Sequence, residues 1–183
     1  LVGEKGAGTD LCARFLHQTN TPWIAPEDAQ WLVENPFAPL AEARDGILFL
    51  ADIAELTRAE QRGLGQLVGK LDKHNVRLVC ASSRPPGNLI AQGKFDPELL
   101  SRVSTLTVSV PALREHAEDI PELATLMLRQ MVESKEVAPR HWETAALNAL
   151  RGFDWPGNLL SLQSAVKTLA LTGAREEITS DDV

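Results

Sequence analysis

The chain has 183 residues, of which 44% are hydrophobic and 23% charged, a balance typical of a globular protein with its own core. Its formal net charge of −7 argues against direct coating of DNA, because Lys and Arg supply most of the non-specific affinity for phosphates. No apolar run approaches the roughly 18 residues of a membrane helix and no secretory leader is evident, so we expect a cytoplasmic protein without membrane contact. The first residues, Leu1-Val2, include no Met, and we interpret the sequence as a fragment of a longer protein.

The cysteine content is low. Cys12 and Cys80 are the only two, and we expect both to be buried small hydrophobic residues of a reducing compartment rather than a disulfide. Neither a CxxC nor an HxxxH pair occurs, so the sequence predicts no metal site.

The first segment resembles a strand that ends in a phosphate-sized turn. Three glycines, Gly3, Gly6 and Gly8, follow Leu1-Val2 within a few residues. Apolar spacing then predicts a helix over 10–18 and a short strand over 21–25. A second helix is predicted over 28–35, with Asp28 as its N-cap and Pro36 as its terminator.

The next segments alternate between strand and helix. Residues 46–53 form a continuous apolar run that ends in an acid, as strands buried on both faces of a parallel sheet do. We predict a helix over 57–73, a buried strand over 76–82, a short helix over 97–103 and a fifth strand over 105–110.

Strand signals stop after Pro111. Helical spacing predicts three further helices, with Gly152 and Gly173 as C-cap candidates; these helices cover 118–134, 140–151 and 157–172. Alternation followed by helices alone predicts an α/β fold, with a doubly wound parallel sheet over 1–111 and an all-helical lid subdomain over 112–183.

Six segments, in chain order, carry a resemblance to one protein family. They are Gly3–His17, Gly46–Leu56, Arg77–Arg84, Phe95–Arg102, Pro111–Pro121 and Trp155–Asn158. They resemble, respectively, the phosphate loop, the Walker B strand, the sensor strand, the arginine-finger helix, the linker and the WPGN lid motif of one domain. That domain is the AAA+ central domain of bacterial sigma-54-dependent transcription activators, the enhancer-binding proteins. The resemblance implies an AAA+ P-loop-type core with a helical lid.

The phosphate loop departs from the family pattern. The resemblance assigns a degenerate Walker A nucleotide-binding loop to Gly3, Glu4, Lys5, Gly6, Ala7, Gly8, Thr9 and Asp10. Thr9 stands where the family has the Lys that neutralises the β- and γ-phosphates. Two interpretations stay open: residual nucleotide or anion binding, or a turn that only connects a strand to a helix.

Other catalytic positions of the family are also replaced. The Walker B acids correspond to Ala51 and Asp52, and the sensor Asn corresponds to Ser83. The resemblance assigns the remaining positions to Asp96 at the first arginine finger, Arg102 at the second and Leu160 at the lid sensor. It therefore implies that ATPase activity is lost and that no catalytic residue or metal remains. Arg102 is either a subunit-interface residue or a surface Arg in a structural salt bridge.

The family inserts a long excursion with a GAFTGA loop, which contacts sigma-54, before the Walker B strand. Here only residues 26–45 connect the two strands, with room for one helix and a turn, and none of them resembles that loop. We therefore expect no remodelling of sigma-54 polymerase.

The resemblance implies a regulatory pseudo-ATPase module of a bacterial transcription factor. It would lie between a sensory domain and a helix-turn-helix outside this sequence, through which alone DNA would be bound. It would act through self-association or by binding a ligand, with RNA polymerase or another regulator as partner. ATP, ADP or cyclic di-GMP bound without hydrolysis are the implied ligands, and Lys5 and Arg14 are the basic residues near the loop. A ligand-free scaffold and a weak nucleotide hydrolase are the alternatives.

The four Trp are expected to pack in the core or lid, with a purine-stacking platform as the other interpretation.

Overall fold

The structure is a computed structural model that describes residues 1–172 and 175–183. It contains two compact units, one formed by residues 1–4 and 8–110 and the other by residues 5–7 and 111–183. The predicted C-cap Gly173 lies outside the described residues.

The first unit is built on a parallel sheet. Its strands are β1 (Trp23–Ile24), β2 (Ile47–Leu50) and β3 (Arg77–Cys80), hydrogen-bonded in the order β1-β2-β3. All four residues of β2 are buried, as the apolar run predicts for the central strand of a parallel sheet. Val2 continues the sheet through single parallel bridges to Ser82, just beyond β3, and to Ser109.

The predicted fifth strand over 105–110 is wrong as a continuous strand. Only the Val2 bridge remains, with hydrogen bonds from Val2 N to Val108 O (2.9 Å) and from Val110 N to Val2 O (2.7 Å). Leu106 is 81% exposed, so most of this segment has no neighbour against which a regular strand would be stabilised.

Seven helices surround this sheet within the described residues. They are α1 (Thr9–Phe15), α2 (Trp31–Glu34), α3 (Ala38–Glu42), α4 (Arg58–Val68), α5 (Leu71–His74), α6 (Pro86–Ala91) and α7 (Pro97–Val103). Thr57 begins α4 with a capping box, in which its side chain accepts from Glu60 N and Glu60 accepts from Thr57 N. The apolar face of α4 buries Leu64 and Leu67 in the core above β2. The α7 bounds coincide with the predicted 97–103.

Several predicted helix bounds need correction. Residues 26–45 hold two short helices, α2 and α3, rather than one helix and a turn. Asp28 is not the N-cap of α2, because its carboxylate accepts from Gln30 N (3.0 Å) in a turn before the helix begins at Trp31. The single helix predicted over 57–73 breaks at Gly69, a poor helix former, which separates α4 from α5. Helix α6 was not predicted, although Pro86 at its first position is compatible with a helix start.

The second unit is a helical bundle. A 3-10 helix, Leu113–Asp119, precedes α8 (Ile120–Glu133), α9 (Thr144–Leu150) and α10 (Asn158–Thr172). Their buried faces share one core that includes Ile120, Leu128, Leu162 and Val166. The helical lid predicted from the sequence is thus confirmed.

The expectation that strands stop after residue 111 is wrong in one detail. Strand β4 (His141–Trp142) pairs in parallel with β5 (Glu177–Ile178). Runs of two residues are too short to give a periodic signal in the sequence. Gly152 follows the C-cap Arg151, and it is absent from the residues with positive φ among the described ranges.

The two cysteines differ in environment. Both are free thiols; Cys12 is exposed, contrary to prediction, while Cys80 in β3 is shielded enough that burial raises the pKa of its thiol to about 12. Among the helices of the described ranges, none is long and apolar enough to cross a membrane.

Candidate functional site

Two of the three glycines of the predicted phosphate loop adopt a backbone conformation that only glycine adopts readily. Gly6 has φ +77° and Gly8, the N-cap of α1, has φ +88°. Such left-handed residues within a turn aim successive backbone N–H groups in one direction, which is the geometry of anion-binding concavities. Within the described residues, the N–H groups of Gly6, Ala7 and Gly8 make no backbone hydrogen bond.

The tip of this loop, Lys5–Ala7, belongs to the second unit and contacts the start of α10. Asn158 Nδ2 donates to Lys5 O (3.0 Å), and Leu159 N donates to Gly6 O (3.0 Å). A Cβ on Gly6 would lie 2.3 Å from Gly157 O, so glycine is required here for the close approach as well as for φ. The carbonyl groups of the tip are therefore held by the turn that the WPGN motif forms.

Asn158 connects parts of the site that the sequence motifs treat separately. It is fully buried, it has φ +52°, and its Oδ1 accepts from Leu113 N (2.8 Å) while its Nδ2 holds Lys5. One side chain thus connects the loop tip, the linker and α10. The signal available in the sequence was the Asn at the last position of Trp155–Asn158, which was used only as a motif match.

Thr9 and Asp10 form the first turn of α1. Thr9 carries no charge, and its methyl group lies close to Gly3: a Cβ on Gly3 would be 3.1 Å from Thr9 Cγ2 and 2.9 Å from Val110 O. Asp10 and Glu4 are exposed. The predicted Walker A residues therefore form a loop over residues 3–8 that leads into the first turn of α1, without a cation at position 9.

Asp52 and Ser83 meet at the carboxyl ends of β2 and β3. Asp52 Oδ1 accepts from Ala54 N and from Ser83 N, both at 3.0 Å, and it caps the 3-10 helix Ile53–Glu55. Ala51, at the other Walker B position, is exposed and has no polar side chain. The Ser83 hydroxyl is buried, and it has no hydrogen-bond partner within the described residues.

The two arginine-finger positions both lie on α7. Asp96 is the N-cap of this helix, and its Oδ1 accepts from Leu99 N (2.8 Å). Arg102, in the last turn, donates to Gly65 O (3.3 Å), and no acid lies within ion-pair distance among the residues described. The salt-bridge interpretation of Arg102 is therefore wrong.

Arg14 is engaged away from the loop. Its guanidinium carbon lies 4.9 Å from the centroid of the Trp23 ring, which stacks on Phe49 at 5.5 Å. His17 contacts the same Trp23 ring edge-on at 5.7 Å. Trp23 is thus part of a packed aromatic cluster, in agreement with the expected packing role for tryptophan.

Metal ligands do not cluster in the described ranges: no group of three His, Cys, Asp or Glu side chains is arranged to hold an ion. The acids nearest to a Walker B role are used locally, with Asp52 bonded to the backbone and Glu55 paired with Arg84 at 2.7 Å.

Comparisons with known proteins agree with the resemblance. The family model described as "Sigma-54 interaction domain" matches residues 1–113, and the model described as "AAA+ ATPase lid domain" matches residues 114–183. The regulatory protein LuxO of Vibrio parahaemolyticus is 29% identical over 99% of this chain and 47% of its own length. The transcriptional regulator NtrC of a Bradyrhizobium species is 30% identical over 98% of this chain and 44% of its own length. The chain thus spans about half the length of the curated relatives it matches.

Solved structures share the fold. NtrX from Brucella abortus, solved in complex with ATP, superposes with a TM-score of 0.83 at 27% identity, covering 100% of this chain and 50% of that one. DnaA from Aquifex aeolicus, at 17% identity and a TM-score of 0.62 over 100% of this chain and 56% of that one, shares the fold alone. Together with the matches of both family models, these similarities show that the chain belongs to the sigma-54 interaction domain family and carries its AAA+ lid.

Proposed function

We propose that this chain is the regulatory AAA+ module of a bacterial transcription factor and that it binds a nucleotide without hydrolysing it. The bonding of Asp52 carries this proposal. In the family pattern an acid at this position orients the attacking water, but here Asp52 Oδ1 already accepts two backbone N–H groups. These two hydrogen bonds hold the carboxylate of Asp52 against the backbone, so that only Oδ2 is left to contact a water.

The remaining charges support the same proposal. Thr9 supplies no cation for the β- and γ-phosphates, Ala51 supplies no ligand for magnesium, and Leu160 supplies no guanidinium from the lid. The Lys, Asp and Arg that the family has at these three positions stabilise the charge that develops during phosphoryl transfer. That stabilisation is the main catalytic contribution in such sites. The loss of all three groups removes more transition-state stabilisation than the loss of any one of them would.

Retained binding is supported by the loop backbone. Gly6 and Gly8 keep the left-handed conformations that aim N–H groups at an anion. The similar NtrX protein of Brucella abortus was solved with ATP and with ADP. On this ground we propose ATP or ADP as candidate ligands here, and we add cyclic di-GMP as the ligand that the family resemblance implies.

The wider role rests on the relatives. Proteins named as regulators of luminescence, alginate biosynthesis and nitrogen assimilation match most of this chain with roughly half of their own length. We propose that flanking domains sense a signal and bind DNA, that the whole protein is cytoplasmic, and that RNA polymerase or another regulator is its partner. The absence of a GAFTGA-like segment in residues 26–45 argues against sigma-54 remodelling by this module.

The activity test is phosphate release with magnesium and ATP. We expect no release above the buffer control, in the parent chain and in Asp52→Ala alike. Turnover of about 1 per second or faster, in the range of ordinary enzymes, that is lost in Asp52→Ala would refute the proposal.

The binding test is thermal unfolding with ATP, ADP, GTP and cyclic di-GMP. A ligand at about 100 times its dissociation constant adds roughly 2.7 kcal/mol to the free energy of unfolding. Thr9→Lys should increase ATP affinity without restoring hydrolysis, whereas Thr9→Met, of similar length and uncharged, should not. If neither the parent chain nor Thr9→Lys binds any of the four, the ligand-free scaffold is the better description.

Self-association is tested by light scattering of the chain with and without ATP and magnesium. We expect a monomer or weak dimer, because Arg102 is the one finger cation in the sequence and Asp96 replaces the other. A stable ring at micromolar protein concentration would contradict this expectation.

A further inference from the structure

A groove on the first unit is lined by three arginines, although the net charge of the chain is −7. It has a volume of about 380 Å³ and lies between α4 and α7. Arg58 and Arg62 come from α4, and Arg102 comes from the end of α7. We propose that this arginine groove binds a small phosphate-bearing anion, at a site separate from the glycine loop of residues 3–10.

The two arginines of α4 are one turn apart. Like charges at positions i and i+4 of a helix repel and destabilise it. Within the described ranges Arg62 has no hydrogen bond or ion pair, so no acid there is paired directly with its guanidinium. A bound anion would compensate all three guanidinium groups.

The other two guanidinium groups each donate one hydrogen bond to the backbone. Arg58 Nη2 donates to Gly93 O, and Arg102 Nη1 donates to Gly65 O (3.3 Å). Each keeps further N–H donors, because a guanidinium carries five. Fixing a guanidinium before the ligand arrives reduces the entropy lost on binding.

The floor of the groove is buried and hydrogen-bonded. Gln61 is 3% exposed, and its amide donates to Leu56 O (2.9 Å) and Lys94 O (2.8 Å) while its oxygen accepts from Asp96 N (3.0 Å). Leu99 is 5% exposed, and Gly65 beside it has no side chain to fill the groove. Buried, hydrogen-bonded Gln61 and buried Leu99 thus form the floor of a groove that Gly65 leaves unfilled.

The charges of the groove define the ligand. Two acids, Asp96 and Glu98, also line it, so three cations face two anions. One oxygen of Asp96 is used by the α7 cap. A ligand with two or more negative charges gains most from three guanidinium forks, which pair with phosphate oxygens in a bidentate manner. A volume of this size suits a ligand no larger than a small molecule.

The test uses inorganic pyrophosphate as the probe, with citrate as a polyanion of carboxylate chemistry. Binding is followed by calorimetry and by ¹H–¹⁵N spectra of the chain. We expect pyrophosphate to shift the amide signals of Gly65 and Leu99, and Arg62→Gln to weaken this binding roughly tenfold. Arg62→Gln should fold normally, since no described hydrogen bond is lost, and Arg151→Gln, an exposed arginine outside the groove, is the matched control.

Asp96→Asn provides a test of the opposite sign. The Asn oxygen still accepts from Leu99 N, so the helix cap is kept while a negative charge leaves the groove. We expect tighter pyrophosphate binding in this variant. The proposal is overturned if pyrophosphate shifts only the amides of residues 6–9, if Arg62→Gln and Arg151→Gln bind alike, or if citrate binds and pyrophosphate does not.

Discussion

Two glycines of α4, two residues apart, are expected to respond to the same substitution with opposite signs. Alanine is a better helix former than glycine by about 1 kcal/mol. Helix propensity therefore adds the same amount to the free energy of unfolding in Gly63→Ala and in Gly65→Ala. Their surroundings differ. A Cβ on Gly65 would meet only Leu99 Cδ1 at 3.9 Å, an ordinary contact, whereas a Cβ on Gly63 would lie 1.8 Å from Leu32 O and 2.7 Å from Leu32 C.

The atoms that a Cβ on Gly63 would meet belong to the backbone of α2, which cannot change rotamer as a side chain can. A carbon atom needs about 3.5 Å from its neighbours, so α2 and α4 would have to separate by on the order of 1.5 Å. Leu32 and Leu64, which lie in the same core, would lose contacts in that movement. Overpacking of this kind costs about 1–3 kcal/mol or more, which exceeds the helix-propensity gain.

We therefore expect Gly65→Ala to raise the free energy of unfolding by about 0.5–1 kcal/mol and Gly63→Ala to lower it by about 1–2 kcal/mol. For a chain of this size, each 1 kcal/mol corresponds to about 2–4 °C in the Tm. Thermal and urea unfolding followed by circular dichroism measure both variants against the parent. If Gly63→Ala proves as stable as Gly65→Ala, the close packing of α2 on α4 is refuted.

Three other substitutions and one chemical modification test the buried and capped groups. Gln61→Leu should destabilise the chain by about 2 kcal/mol or more in urea unfolding, because it leaves three backbone groups without their partner; a loss below about 0.5 kcal/mol would contradict the network. Thr57→Ala should cost about 1 kcal/mol through loss of the capping box, and unchanged stability would argue against that cap. At about pH 8, a disulfide reagent should modify exposed Cys12 quickly and Cys80 only on unfolding, and equal rates would contradict the burial of Cys80. Because folding raises the pKa of Cys80 from 9.0 to about 12, its contribution to stability is present below pH 9 and is lost as the pH rises towards 12, so Cys80→Ala should flatten the stability profile in that range.

Much of the fold follows from local patterns. The apolar run over 46–53 determines β2, since a strand covered on both faces has no polar alternation. Pro97 and the apolar residues after it determine α7, and the Thr57–Glu60 spacing determines where α4 begins. The loop glycines, too, were recognisable, because Gly6 and Gly8 stand where a turn needs positive φ.

Other features depend on residues that are distant in the sequence. The family pattern assigns Asp96 to an arginine-finger position, whereas the structure shows it as the N-cap of α7. Cys12 resembled a core residue, yet the helix turns it outwards.

The clearest case is Asn158, whose amide bonds to Lys5 across 153 positions of the chain. The arginine groove is similar, because Arg62 and Arg102 lie 40 positions apart in the sequence and on different helices. Hydrophobic period and capping act over a few residues and can be read from the sequence. The packing of separate elements determines which polar groups are hydrogen-bonded to each other and which cations share a groove. Only the tertiary structure decides these pairings.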